Sequence, residues 1–320
     1  MKTKIHSALF GLAVGDALGV PVEFKNRDYL KRFPVTDMME YGSHRQPKGT
    51  WSDDSSLAFC LAESLSKGYD INDIGEKFVK WRNEEIWTPH GKVFDIGIST
   101  NQAINSIESG IKPILAGGFS EMDNGNGSLM RIIPLLFYIK DLSIEKRFDI
   151  IKDVSSITHA HIRSVLSCFI YLEYALNLLN KSDKWQAYKK MQIDVKNFLN
   201  SNAICSQREM DKFHRILELK VSDYDVQVLY ELKESEIGSG GYVLESLEAS
   251  LWCILTSNSY KETVLKAVNL GRDTDTTGAI AGGLAGLLFG YEAIPEKWID
   301  VLARKDDITK LCDKLFSKYG

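Results

Sequence analysis

Residues 271–291 read Gly-Arg-Asp-Thr-Asp-Thr-Thr-Gly-Ala-Ile-Ala-Gly-Gly-Leu-Ala-Gly-Leu-Leu-Phe-Gly-Tyr. No side chain from Thr276 to Tyr291 carries a charge, and Gly278, Gly282, Gly286 and Gly290 recur every four residues. Two architectures compete for such a run: a membrane span, or a helix inside a soluble protein. The run falls short of the ~20 apolar residues that a span needs. Asp273 and Asp275 stand at its head. We read it as a soluble helix with a ridge of small residues. Glycine costs helix stability, so close packing against another helix must offset the loss.

Outward from this run the dominant period is helical. Within 164–180, Val165, Phe169, Leu172, Leu176 and Leu179 share one face at spacings of three and four. Leu244, Leu247, Leu251 and Leu255 repeat the pattern, and 57–65 and 71–81 are similar. Alternating strand patterns are sparse. Proline is absent between Pro134 and Pro295, which suits a long series of helices. Glycine and polar clusters at 15–19, 42–52, 117–128 and 238–241 punctuate them. The most polar stretch, 181–236, reads as a surface excursion of helices and loops. With no internal repeat and no linker, the expectation is one all-α domain over residues 1–320.

Composition sets the outer bounds. The 320 residues are 44% hydrophobic, 26% charged and 10% aromatic, which excludes disorder and a disulfide-stapled miniprotein. A net charge of −4 gives no electrostatic reason for nucleic-acid or membrane binding. Any nucleotide-like ligand must be held by a local site. The five cysteines, Cys60, Cys168, Cys205, Cys253 and Cys312, are scattered and never paired as C-x-x-C. That pattern points to a reducing, cytoplasmic setting without a zinc site or disulfides. The N-terminal stretch lacks a clear signal-peptide core and cleavage site. Nothing demands an oligomer, so a monomer is expected.

Two clusters join carboxylates to hydroxyls just ahead of a helix: Gly49-Thr50-Trp51-Ser52-Asp53-Asp54-Ser55-Ser56 and Gly271-Arg272-Asp273-Thr274-Asp275-Thr276-Thr277. Either is explained by helix capping, because Ser and Asp oxygens accept the orphan amides of a helix start. Either also suits a hard metal, since oxygens without nearby Cys or His fit Mg²⁺ or Mn²⁺ better than zinc. If the two loops meet in space, their four aspartates repel by several kcal/mol unless a cation intervenes.

Other segments carry similar ambiguity. Asp123-Asn124-Gly125-Asn126-Gly127-Ser128 can point backbone amides into an anion-binding concavity, with the dipole of a helix starting near Ser128, or it is an ordinary loop. Gly238-Ser239-Gly240-Gly241 before Tyr242 is a ligand-contacting turn or an interhelical one. Glu23, after Pro21 in an apolar stretch, is a desolvated acid/base or a surface residue. His159 and His161 stand at i and i+2, which does not place them on one helix face; a polar contact from His159 at a helix start is expected instead.

Taken together, these pieces resemble the ADP-ribosylglycohydrolase family, which includes the dinitrogenase reductase-activating glycohydrolases. The matching pieces run in order: GLAVGDALGVPVEF at 11–24, GTWSDDSSL at 49–57, FDIG at 94–97, GNGSLMR at 125–131, THAH at 158–161, GYVLESLEASLW at 241–252 and GRDTDTTGAIAGGLAG at 271–286. The resemblance implies an orthogonal all-α domain with a binuclear metal centre in a cleft. It implies that Ser52, Asp53 and Asp54 bind one divalent cation and Asp273 and Thr276 the other, with Asp275 bridging. Ser52 stands where the family usually has Thr, and Thr277 where an aliphatic residue is common. Glu23 matches a glutamate that, in one branch, lies beside the metals and moves with substrate. The resemblance further gives Asp95 and Gly97 a place in the cleft lining. Gly125, Asn126, Gly127 and Ser128 would meet the diphosphate and distal ribose, and His159 the ligand's polar edge. Gly240, Gly241 and Tyr242 would cradle the adenosine side.

The implied activity is hydrolysis of the glycosidic bond between ADP-ribose and an acceptor, with two Mg²⁺ or Mn²⁺ ions as cofactors. Cleavage at the ribose anomeric carbon passes through an oxocarbenium-like transition state. Asp53 or Asp54 would help deprotonate the attacking water or assist the leaving group. ADP-ribosyl-arginine on protein is the first expectation for the substrate. ADP-ribosyl-serine, a modified nucleic-acid end and a free ADP-ribose conjugate are the alternatives. A non-catalytic ADP-ribose-binding relative and a two-metal phosphohydrolase are rivals from other classes.

Overall fold

The computed structural model describes residues 1–180, 183–218 and 228–320. Among these residues eleven helices have ten or more residues: α1 (Lys2–Gly19), α2 (Asp53–Leu65), α3 (Ile71–Glu84), α4 (Ile98–Glu108), α5 (Ile144–Ser156), α6 (Ile162–Leu179), α7 (Lys184–Asn202), α8 (Val243–Leu255), α9 (Tyr260–Asn269), α10 (Thr274–Phe289) and α11 (Lys305–Tyr319). Only isolated β-bridges occur among the described residues. The all-α expectation holds.

The glycine-ridged run forms α10, and the helix that its ridge admits is α1. The two lie antiparallel with backbones in contact. A Cβ on Gly11 would strike the Gly282 carbonyl, one on Gly15 the Gly278 carbonyl, and one on Gly286 the Ser7 carbonyl. Side-chain hydrogen bonds from α10 and α9 hold α1 in place. Thr274 Oγ1 donates to the Gly19 carbonyl at 2.8 Å, and Tyr260 Oη to the Gly11 carbonyl at 2.7 Å. The small residues thus lose helix propensity and gain dispersion contact along the whole seam.

The other helices pack around this seam. α8 and α9 cover α10, α6 packs on α5, α7 and α8, and α2 pairs with α3. Their apolar faces merge into one continuous core. Among the described residues two segments are long and apolar enough to cross a membrane, Lys2–Val22 and Ile162–Leu179, and both are almost wholly buried within the fold. The described cysteines are free; Cys60, Cys168, Cys253 and Cys312 are buried as small hydrophobes.

Three local expectations change. The glycine cluster at 15–19 does not punctuate a helix but lies inside α1, because its lack of side chains serves the seam. No helix starts near Ser128: residues 128–131 form only turns, and Pro134, which lacks an N–H, leads instead into a short helix at Leu135–Ile139. Within 181–236, α7 is no mere excursion; Ala187, Tyr188, Met191 and Phe198 are buried against the core. Residues 181–182 and 219–227 of that stretch lie outside the described residues.

The seam makes a direct prediction. Gly15→Ala should destabilise the protein by about 1–3 kcal/mol, the usual range for overpacking, because the obstacle is backbone that cannot rotate away. Urea unfolding measures this, and a variant as stable as wild type would contradict the packing.

Candidate active site

The seam delivers two helix ends to one place. Asp16, fully buried in α1, accepts from the amide of Ser52 at 2.9 Å through Oδ1. Its Oδ2 accepts from the amide of Ser55 at 3.0 Å and from Ser55 Oγ at 2.5 Å. The start of α2 is therefore capped by a carboxylate from another helix, which fixes the first-turn residues Asp53 and Asp54. Ser52 Oγ donates to Asp54 Oδ2 at 2.8 Å, and Thr276 Oγ1 reaches the same oxygen at 3.3 Å from the first turn of α10.

The two acidic loops thus meet. One ligand atom each from Asp16, Asp54 and Asp275 lies within 4.8 Å of the others, and so do atoms of Glu23, His44, Asp95 and Asp275. Asp275 belongs to both groups. Capping explains Ser52, whose side chain accepts from the Asp54 amide. It does not explain Asp273, which makes no side-chain cap on α10.

Burial pushes the Asp53, Asp54 and Asp275 carboxyls well above the ordinary range, and neighbouring carboxylates add to the shift. Burial raises Asp16 to about 6 and also raises Glu23, Asp95 and Asp273. The Glu23 carboxylate contacts His44 Nε2, and this hydrogen bond moves the imidazole upward. Asp54 Oδ1 is buried without a hydrogen-bond partner among the described residues. An orphan lone pair among crowded carboxylates is what a cation satisfies. The donors are oxygens, with His44 the one nitrogen, so the set fits a hard divalent cation.

Above this cluster opens a cleft of about 670 Å³, which Glu23, Asp53, Asp95, Asp273 and Thr276 reach from below. Gly97, Gly125, Asn126, Gly127, His159 and Gly241 complete its wall. Its loops are tied together. Asn126 donates from its backbone to the Gly241 carbonyl at 3.1 Å and from Nδ2 to Asp273 Oδ2 at 2.7 Å. The Asp273 amide donates to the Ser239 carbonyl at 3.1 Å. His159 sits under Gly125 and Gly127, and a Cβ on Gly127 would collide with its ring. Burial and nearby Arg131 push His159 down to about 3, so it is neutral at pH 7. Its Nδ1 pairs with Thr158 Oγ1 at 2.8 Å. Contrary to expectation, His161 and not His159 begins a helix: His161 caps α6.

Three expected ligand contacts lie outside the lining. Ser128 is buried, with its Oγ accepting from Ser155 Oγ at 3.0 Å. The Gly240 amide is taken by Glu245 at 2.8 Å, and Tyr242, half-buried, is the residue before α8. Three contributors escaped sequence reading: Asp16, His44 and Arg131. Asp16 had a signal, a lone charge in an apolar helix. Arg131, fully buried, donates to the Gly127 and Val154 carbonyls and braces the glycine loop. His44 sits in a loop with no readable pattern.

A family model described as ADP-ribosylglycohydrolase matches residues 1–320. An "ADP-ribosylarginine hydrolase Tri1" of Serratia proteamaculans (strain 568) is 34% identical over 318 residues, covering 98% of this chain and 79% of that protein. A protein of the same name from Pseudomonas putida (strain GB-1) is 32% identical, covering 98% and 78%. A solved structure titled "ADP-ribosylglycohydrolase-related protein complex" superposes with a TM-score of 0.78 at 28% identity, covering 100% of this chain and 99% of that one.

The acidic cluster predicts a pH-dependent stability. Raised carboxyl pKa values favour the folded state at low pH, and that advantage is lost as pH climbs from about 4 through the Asp16 value of about 6. A bound divalent cation offsets the repulsion of the ionised form. Adding Mn²⁺ should therefore raise the Tm more at pH 8 than at pH 5. An equal gain at both pH values would separate the cluster from cation binding.

Proposed function

The chain belongs to the ADP-ribosylglycohydrolase family, and from that premise we propose that it removes ADP-ribose from arginine side chains of modified proteins, using two Mg²⁺ or Mn²⁺ ions. The observation that carries this reading is Asp275, which groups with Asp16 and Asp54 and also with Glu23, His44 and Asp95, two residues of the latter group, Glu23 and Asp95, lining one cleft. Ser52, Asp53 and Asp54 would hold one ion and Asp273 and Thr276 the other, with Asp275 serving both. When bound, such ions orient the proximal ribose through its vicinal hydroxyls and make water more acidic.

The chain's own groups do the rest. Asp53 lines the cleft whereas Asp54 lies beneath it, so Asp53 is the carboxylate facing the reacting carbon and able to accept a proton there. The amide of Gly127, which lines the cleft, makes no backbone hydrogen bond among the described residues and is offered to the diphosphate. Neutral His159, its Nδ1 occupied by Thr158, presents Nε2 to the ligand's polar edge. No Lys or Arg is among the described residues lining the cleft. An anionic ligand is thus balanced by metal charge and backbone dipoles rather than by basic side chains. The arginine acceptor follows the two relatives named as ADP-ribosylarginine hydrolases.

Incubation with ADP-ribosyl-arginine and Mg²⁺ or Mn²⁺ should release ADP-ribose. AMP with 5-phosphoribosyl-arginine would mean diphosphate cleavage instead, and calorimetric binding of ADP-ribose without turnover would mean a non-catalytic binder. Asp275→Asn should weaken metal binding and cut turnover by at least the roughly 100-fold seen at the upper end for outer-shell ligand partners. Unchanged activity would remove the bridging role.

A further inference from the structure

The mouth of the cleft carries a feature that binding ADP-ribose does not require. Three large apolar side chains line it and yet stand in solvent: Phe24 is 72% exposed, Ile98 79% and Met122 91%. They come from three separate segments, and each backbone is held. Phe24 adopts a left-handed φ of 66°, unusual for an aromatic residue. It is kept there by its amide donating to the Arg272 carbonyl at 2.7 Å, and by the Arg272 amide donating to the Lys25 carbonyl at 2.6 Å. Ile98 is the first residue of α4. Met122 lies in a 3₁₀ turn at Glu121–Asp123 closed by reciprocal Ser120–Asp123 hydrogen bonds. The carboxylates of Glu23, Asp95 and Asp123 line the same cleft, the last held below the ordinary range by Ser120.

We propose that Phe24, Ile98 and Met122 form a preset docking rim for the protein that carries the modified residue, against a basic patch around that residue. The proposal rests on the glycohydrolase reading. A cavity of about 670 Å³ has the size of a small-molecule site, so the acceptor's remaining surface must lie across the mouth. Exposed apolar side chains on a rigid backbone bind protein surface with little ordering cost. The rim's charge selects the partner's sign: Asp123, in the Met122 turn and outside the acidic cluster, is offset by no lining Lys or Arg and favours a basic protein surface over nucleic-acid phosphates. Apolar contact across the rim and the Asp123 charge together describe a protein acceptor and not a free conjugate.

The test compares one chemistry at two sizes. kcat/KM is measured on ADP-ribosyl-arginine as the free amino acid and on an arginine-ADP-ribosylated histone, a basic protein. The substrates are given to wild type and to the Phe24→Ser, Ile98→Ser, Met122→Ser triple variant, with Tm and metal affinity as controls. The ratio of protein to free-substrate kcat/KM should fall at least tenfold in the triple variant. Met122→Ser alone should move it in the same direction. An unchanged ratio overturns the rim, as does an equal loss on both substrates, which would assign these residues to the ADP-ribose site. Faster wild-type cleavage of an ADP-ribosylated DNA end than of the histone also overturns it. Wild type inactive on every substrate would instead sink the glycohydrolase reading itself.

Discussion

The contact between the backbones of α1 and α10 is the constraint on which the site depends. Glycines at 11, 15, 278 and 282 let two helices approach until carbonyls meet where side chains usually stand. That approach brings Asp16, in the last turn of one helix, beside Asp275, in the first turn of the other. A wider seam would separate them, and the start of α2, which Asp16 caps, would move with α1. The geometry of the acidic centre is therefore a property of helix packing, set by residues that carry no functional group at all.

The centre is held together against its own charge. Buried carboxylates about 4 Å apart repel by several kcal/mol even at an effective dielectric near 20. The surrounding structure resists this in two ways. Hydroxyls and amides from Ser52, Ser55, Asn126 and Thr276 donate into the cluster. Raised pKa values let some carboxyls hold protons when no cation is bound. Unrelieved charge at a defined place is a way to build affinity for a cation in advance.

The fold was legible because helical periodicity and the glycine ridge are local signals. The long helices, the small-residue packing and the order of the motifs could be read directly. The site was legible as a set of residue types: Asp53, Asp54, Asp273 and Asp275 do converge, as do Glu23 and Asp95. What sequence could not give was direction. Nothing local says that Ser128 turns inward to Ser155 while His159 faces the cleft, or that Gly240 gives its amide to Glu245. Asp16 and Arg131 act through partners far along the chain, and His44 lies in an irregular loop. Their roles exist only once the loops have met.

The seam also has a consequence for synthesis. α1 and its partner α10 are separated by about 250 residues of chain. At the usual 5–20 residues per second, α1 leaves the ribosome roughly 15–50 s before its cover. For that interval a segment apolar enough to pass as a membrane span must wait without the surface it was shaped to fit. Until α10 emerges the acidic centre lacks Asp273 and Asp275, so no chain shorter than that can assemble it.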